Sequence, residues 1–313
     1  MGYGSFGMKG LLYGGWLLSA LCLEAQTATE QKSIKLDDVR RLLQDETGDL
    51  SKLKRELIGA GDTNKLFYFP THDQPATPEK WGLAYEDVDF KSADGTKLHG
   101  WFVKAKGNKP KGTVVFSHGN AGSLGYHLGF VMWMAEAGYQ VFMYDYRGFG
   151  KSGGVLNRDG MVQDVKAAFQ YVSQRKDVRQ GKIVSYGHSL GGAKSVAALA
   201  EIRPVGLKAI VIDSAFSSYQ TMARLAAGDL GAELISDEFS PKDLISKITG
   251  TPLLVIHGEK DQVVPFAQGK QLFDLANEPK TFFDVKEGRH GDSLSRDNGA
   301  YRKKMLAWLE SVI

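Results

Sequence analysis

The sequence holds one cysteine, Cys22, in 313 residues. No internal disulfide can form, and without a CxxC or a Cys/His cluster a structural zinc site has no ligand set. Charge of one sign is also scarce: 39 Lys+Arg against 36 Asp+Glu leaves +3. The basic residues are scattered, and the run Arg302-Lys303-Lys304 reads as a solvated helix face. That balance argues against a nucleic-acid partner. No apolar run reaches the roughly 18 residues of a membrane span, which excludes a polytopic membrane protein. Prolines number only 9 against 37 glycines, and no Gly-X-Y period excludes collagen. What is present is ordinary for a soluble globular chain: 42% hydrophobic and 24% charged residues. Many glycines with few prolines suit an α/β protein with many tight strand-to-helix turns.

The N-terminus reads as an address. Lys9 precedes an uncharged apolar run, 11–23, which Glu24 ends. This predicts a secretory signal peptide over 1–25, cut after Ala25, and an exported protein, periplasmic or secreted. Leu23 is large for its place three residues before the cut. Two alternatives stay open: an uncleaved anchor that tethers the protein to a membrane, and lipidation at Cys22, although Leu21 fits a lipobox poorly. Residues 26–65 then form a helical arm. Val39, Leu42, Leu43, Leu50, Leu53, Leu57 and Ile58 have helical spacing, and Gly48 breaks the arm in two. The arm packs on the main domain or meets a membrane or partner.

From residue 66 to 313 the pattern is that of one domain. Segments 85–90 and 97–105 flank Asp94-Gly95 and predict a hairpin. Strands follow at 113–119, 140–146, 182–188, 208–213, 251–258 and 280–285, with a short apolar run at 66–69. Helices fall at 128–138, 160–175, 190–202, 267–278 and 300–313. Apolar strands alternating with helices predict a mostly parallel central sheet covered on both faces, in the α/β class. Ligands then sit at the carboxyl ends of the strands.

Gly187-His188-Ser189-Leu190-Gly191 fits G-x-S-x-G. The pattern alone is weak. Here it follows a strand directly and opens a helix, the setting of a nucleophile elbow. Ser189 is therefore the candidate nucleophile, with the helix N-terminus behind it to favour an oxyanion. A serine needs a base. Of seven histidines, His290 alone lies in the loop between the last strand and the last helix. His188 adjoins Ser189 but turns away in an elbow, His72 and His99 belong to the hairpin region, and His118 and His127 flank another loop. His257 ends a strand. Asp261, after the strand 251–258, is the candidate acid, in the chain order Ser189, Asp261, His290. Asp213, at the end of the preceding strand, is its rival. Asp284 and Asp292 read as solvated. The oxyanion donors are the Leu190 amide and one from the loop 118–123, with Asn120 first and Ala121 second.

The motifs FSHGNAGS (116–123), YDYRGFGKSGG (144–154), YGHSLGG (186–192), PLLVIHGEKDQVVP (252–265) and EGRHGD (287–292) resemble the α/β-hydrolase superfamily. Within it, the chain looks like the bud-emergence-type and depalmitoylating abhydrolase-domain group. The resemblance covers about residues 66–313, with the approach segment 67–103 included. It implies an α/β-hydrolase fold with a small cap or none. It implies a serine hydrolase of acyl esters or thioesters, with Ser189 as nucleophile, Asp261 as acid, His290 as base, and Asn120 and Leu190 as oxyanion donors. No cofactor and no metal is implied. The loop 144–154 is implied to be structural, with Asp145 and Arg147 holding it by ion pairing. Two features depart from the group: residues 26–65 find no counterpart, and Arg289 precedes His290 where a small residue and glycine are commoner. An inward Arg289 would disfavour the imidazolium, so the side chain is expected to point outward.

The stretch between Ser214 and Gly250 has room for short helices but no large lid, which predicts an open site for an acyl ester, small or lipid-like. Two other readings remain. A prolyl-oligopeptidase-type peptidase shares this chemistry but usually adds a propeller, for which 313 residues leave no room. A non-catalytic binding protein would need no complete Ser/Asp/His set.

Overall fold

Unbroken burial along the central strands sets the architecture. In β8 (Leu207–Asp213) Ile210 and Ile212 face one layer of core, while Ala209 and Val211 face the other. In β9 (Leu253–Gly258) Leu253 and Val255 face the first layer, and Leu254 and Ile256 the second. A strand that is apolar on both sides must be covered on both sides. The computed structural model describes residues 67–178 and 182–313. These belong to one compact unit, Thr63–Ile313. The expected signal segment, 1–25, and helical arm, 26–65, lie outside the described residues.

The eight-stranded sheet runs β10 (Lys280–Val285), β9, β8, β7 (Ile183–His188), β4 (Thr113–Ser117), β6 (Gln140–Tyr144), β3 (Lys97–Val103), β2 (Tyr85–Lys91). Pairings from β10 to β6 are parallel; β3 is antiparallel to both β6 and β2. The expected hairpin is β2–β3, closed by Ser92 N–H to Thr96 carbonyl at 2.9 Å. The layer on one face carries α2 (Arg158–Gln174) and α3 (Leu190–Leu199), which bury Val162, Val165, Phe169 and Val196. The other carries α1 (Leu124–Glu136) and α6 (Arg296–Val312), which bury Val131, Met132, Met305 and Leu309.

Between β8 and β9 lie one helix, α4 (Tyr219–Leu234), and two single 3-10 turns, Pro241–Asp243 and Ile245–Lys247. Ser218 caps α4 by accepting the Thr221 amide at 3.1 Å. Helix α5 (Phe266–Leu275) follows β9. No helix among the described residues is long and apolar enough to cross a membrane.

Several boundaries shift by a few residues from the sequence expectation, and two of the differences are instructive. Helix α1 starts at Leu124 rather than 128, because the buried Asp145 carboxylate accepts the Leu124 amide at 2.9 Å. That long-range cap overrides the weak helix preference of Gly125 and His127. The apolar run at 66–69 yields only a two-residue strand, β1 (Phe69–Pro70), paired with β5 (Ala121–Gly122).

The strand order reverses at β4: β6 follows on one side and β7 on the other. A crevice outside the carboxyl ends of β4 and β7 is the place such a sheet offers a ligand. Ser117 pairs with Gly187 there, so the loop after β4 and the turn after β7 leave the sheet side by side.

Candidate active site

Ser189 is the turn from β7 into α3. Its φ of 53° and ψ of −118° lie outside the regions a side chain prefers. Such strain persists only when the surroundings over-determine it. Two of them do. The Ser189 amide donates to the Asp213 carbonyl at 2.8 Å. The flanking glycines allow a close approach: a Cβ on Gly191 would lie 1.9 Å from the Ser117 carbonyl oxygen, and one on Gly187 2.5 Å from Gly192 Cα. Ser189 is 7% exposed and stands at the N-terminus of α3, where the Leu190 amide has no intrahelical acceptor.

Asp261 and His290 meet. His290 Nδ1 lies 2.8 Å from Asp261 Oδ2. The other carboxylate oxygen, Oδ1, accepts the amides of Val263 at 2.9 Å and Val264 at 2.8 Å. Those two bonds fix the carboxylate and leave Oδ2 for the imidazole. The His290 ring centroid lies 5.2 Å from that of His188, the residue before Ser189. The base loop therefore arches over the elbow. Arg289 is exposed, as expected, and its amide donates to Asp292 Oδ1 at 2.7 Å. Asp292 also holds Arg296 at 3.1 Å, so it organises the loop.

The loop after β4 completes the ring of elements. A Cβ on Gly119 would lie 3.9 Å from Ser189 Cβ, so Asn120 follows directly beside the nucleophile. Asn120 Nδ2 donates to the Phe67 carbonyl at 3.0 Å, and its carbonyl accepts the Phe69 amide at 2.8 Å. Ala121 offers its carbonyl to His127 Nε2 at 2.8 Å. The segment 67–71 is thus a strap across the candidate oxyanion loop. Sequence reading missed that role, since only the pairing of β1 with β5 discloses it.

The other histidines find other partners. Burial pushes His127 down to about 4 and His118 well below its ordinary value, so both stay neutral near pH 7. Their rings stack at 4.9 Å under the loop. His72 Nδ1 meets the Gly150 carbonyl at 2.9 Å, His99 Nε2 meets Asp87 at 2.7 Å, and His257 Nε2 meets the Val264 carbonyl at 2.8 Å. Asp213, the rival acid, is bonded to His188 Nδ1 at 3.0 Å rather than to His290. Burial opposes its charge, but the bonds from His188 and Ser214 hold it below the usual carboxylate range. Asp284 is half-buried and 3.6 Å from Lys286, not simply solvated.

The loop 144–154 is held by two separate devices rather than one ion pair. Arg147 forks onto buried Asp164, with Nη2 to Oδ1 at 2.8 Å and Nε to Oδ2 at 3.1 Å, and reaches Asp94 at 2.8 Å. Asp145 instead turns inward to cap α1. Among the described residues no group of three or more His, Cys, Asp or Glu side chains could hold a metal ion.

Comparison with known proteins bears on the family and the fold. Residues 108–236 match the family described as serine aminopeptidase, S33, a span that includes Ser189 and stops short of Asp261 and His290. The chain is 36% identical over 252 residues to the uncharacterized protein YfhR of Escherichia coli O157:H7, covering 79% of this chain and 87% of that one. It is 31% identical over 269 residues to the α/β hydrolase domain-containing protein WAV2 of Arabidopsis thaliana, at 79% and 87% coverage. The solved Pyrococcus furiosus esterase Pf2001 has the same fold, with a TM-score of 0.68, 20% identity, and 79% and 98% coverage. The chain belongs to the α/β-hydrolase superfamily. Within it, the likeness is to the abhydrolase-domain group.

Proposed function

We propose that this protein is a serine hydrolase that cleaves acyl esters or thioesters through an acyl-enzyme on Ser189. The observation that carries the reading is the His290–Asp261 pair at 2.8 Å, set beside a serine in strained backbone at a helix N-terminus. A binding module has no need of both. His290 takes the Ser189 proton as the hydroxyl attacks the acyl carbon, and Asp261 holds the imidazole and stabilises its charged form. The amides of Leu190 and Asn120 receive the oxyanion. His290 then gives the proton to the leaving alcohol or thiol, and water releases the acid by the same steps in reverse order.

The small cap supports an open acyl site. p-Nitrophenyl esters from acetate to palmitate, assayed with wild type and Ser189→Ala, test the reading. Turnover that vanishes in the variant is expected, and the chain length of the peak assigns the acyl class. Turnover unchanged in the variant contradicts it. The serine aminopeptidase description favours a peptidase as the second reading. Hydrolysis of aminoacyl p-nitroanilides in preference to the esters would choose it.

The charged start, apolar run 11–23 and small residue Ala25 support export, periplasmic or secreted. N-terminal sequencing of protein recovered outside the cytoplasm tests this: a start at Gln26 is expected, and intact Met1 in the cytosolic fraction contradicts it.

A further inference from the structure

His188, the residue before the nucleophile, has no part in the reaction just described, yet it is built as carefully as the base. Its Nδ1 lies 3.0 Å from Asp213 Oδ2. Asp213 is itself fixed: Ser214 Oγ donates to Oδ1 at 3.1 Å, the Tyr186 hydroxyl donates to Oδ2 at 3.4 Å, and the main-chain carbonyl accepts Ser189. Both residues are buried, His188 at 3% and Asp213 at 2% exposure. Phe130 stacks on the imidazole at 4.3 Å with the planes 29° apart, so the ring cannot swing.

An ionised carboxylate only accepts, so Nδ1 carries a proton, and in the neutral imidazole Nε2 is then the acceptor. Nε2 is the ring atom between Cδ2 and Cε1. Cδ2 lies 3.7 Å from where a Cβ on Gly119 would be, and Cε1 3.9 Å from one on Gly291. Gly119 precedes Asn120 and Gly291 follows His290. Nε2 therefore points at the gap between the candidate oxyanion loop and the base loop. It takes no hydrogen bond among the described residues, and it is not among their fully enclosed unpaired atoms.

We propose that His188 determines specificity: its Nε2 accepts a hydrogen bond from the alcohol part of the substrate, so monoesters of polyols are preferred over alkyl esters of the same acid. The proposal rests on the serine-hydrolase reading. In that reaction His290 protonates the leaving oxygen, which brings the alcohol against the loop that carries Gly291. A hydroxyl on the carbon next to the ester-bearing carbon supplies the donor that Nε2 lacks. An alkyl group of the same length desolvates Nε2 and gives nothing back.

The test compares kcat/KM for hydroxyethyl butanoate and propyl butanoate, which match in length, by pH-stat titration. Wild type is expected to favour the hydroxyethyl ester about tenfold, the worth of one such bond. His188→Phe keeps a ring against Phe130 and removes the acceptor; the preference is expected to disappear. The loss is expected to fall on KM for the hydroxyethyl ester. If His188→Phe does not fold because it leaves the Asp213 carboxylate without its partner, His188→Phe combined with Asp213→Asn removes the acceptor without that charge and carries the test. A wild-type ratio near one, or a ratio unchanged in a folded variant, overturns the proposal while the ester-hydrolase reading stands. No turnover of either ester by wild type overturns both.

Discussion

The Ser189 amide donates to the Asp213 carbonyl across 2.8 Å, which ties the elbow to the end of the neighbouring strand. The bond explains how a serine can hold φ at 53° without slipping into the helix it opens. Strand β8 thereby sets the height of the candidate nucleophile, while β9 sets that of Asp261 and β10 that of His290.

Asp261→Asn should leave the fold and substrate binding intact and lower kcat by about ten-thousand-fold. The backbone amides of Val263 and Val264 fix one side-chain oxygen, so the amide group of the variant must face His290 and impose the wrong tautomer. Steady-state kinetics with KM near wild type checks this. A loss of less than tenfold would remove Asp261 from the reaction.

Gly191→Ala should destabilise the protein by about 3 kcal/mol or more. The new methyl would fall 1.9 Å from the Ser117 carbonyl, and backbone cannot rotate away as a side chain can. Chemical denaturation measures the loss. Gly129→Ala, at an exposed position inside α1 where a Cβ meets nothing within 4 Å, is the control and should be neutral or stabilising by up to about 1 kcal/mol.

Arg147→Met should cost about 3–5 kcal/mol, because it strands the Asp164 carboxylate, whose side chain is 0% exposed. Asp94→Asn removes the outer partner of the same guanidinium. Asp94 is 53% exposed, and the cost should be far smaller than that of losing the Asp164 partner. Equal costs would contradict the assignment of Asp164 as the anchor of the loop.

Lys194 predicts a pH dependence. It is fully buried in α3, donates to the Arg158 carbonyl at 3.0 Å, and lies 5.3 Å from the Tyr219 ring centroid. Burial, with help from the Arg158 charge, holds its amine well below the ordinary 10.5. Between the folded value and 10.5 the unfolded chain binds the extra proton, so stability rises with pH across that window. The contribution is complete above 10.5 and is lost as pH falls through the folded value. Melting temperatures of wild type and Lys194→Met, compared up to pH 10.5, should show wild type gaining on the variant as pH rises. A constant difference would contradict it.

The sheet was legible because its strands are buried on both faces, which leaves runs such as Val114-Val115-Phe116 and Ile210-Val211-Ile212. The elbow was legible because the close approach of α3 to β4 demands glycine at fixed places around Ser189. Other features depend on contacts far apart in sequence. Asp145 reaching across to cap α1, the strap 67–71 over Asn120, and the His188–Asp213 pair leave no local pattern to read. Asp261 was named over Asp213 from its place after β9 and from chain order, but the partner of Asp213 was not legible. Asp213 ends β8 and Asp261 lies in the loop after β9, and side-chain partners put Asp261 on His290 and Asp213 on His188.

The central claim is that Ser189 carries the acyl group. Incubating the protein with a fluorophosphonate and mapping the adduct by peptide mass spectrometry tests it most directly. The account predicts one adduct per chain, on the peptide that contains Ser189, absent in Ser189→Ala and formed far more slowly in His290→Ala. An adduct on another residue, or none on the folded protein, would contradict it.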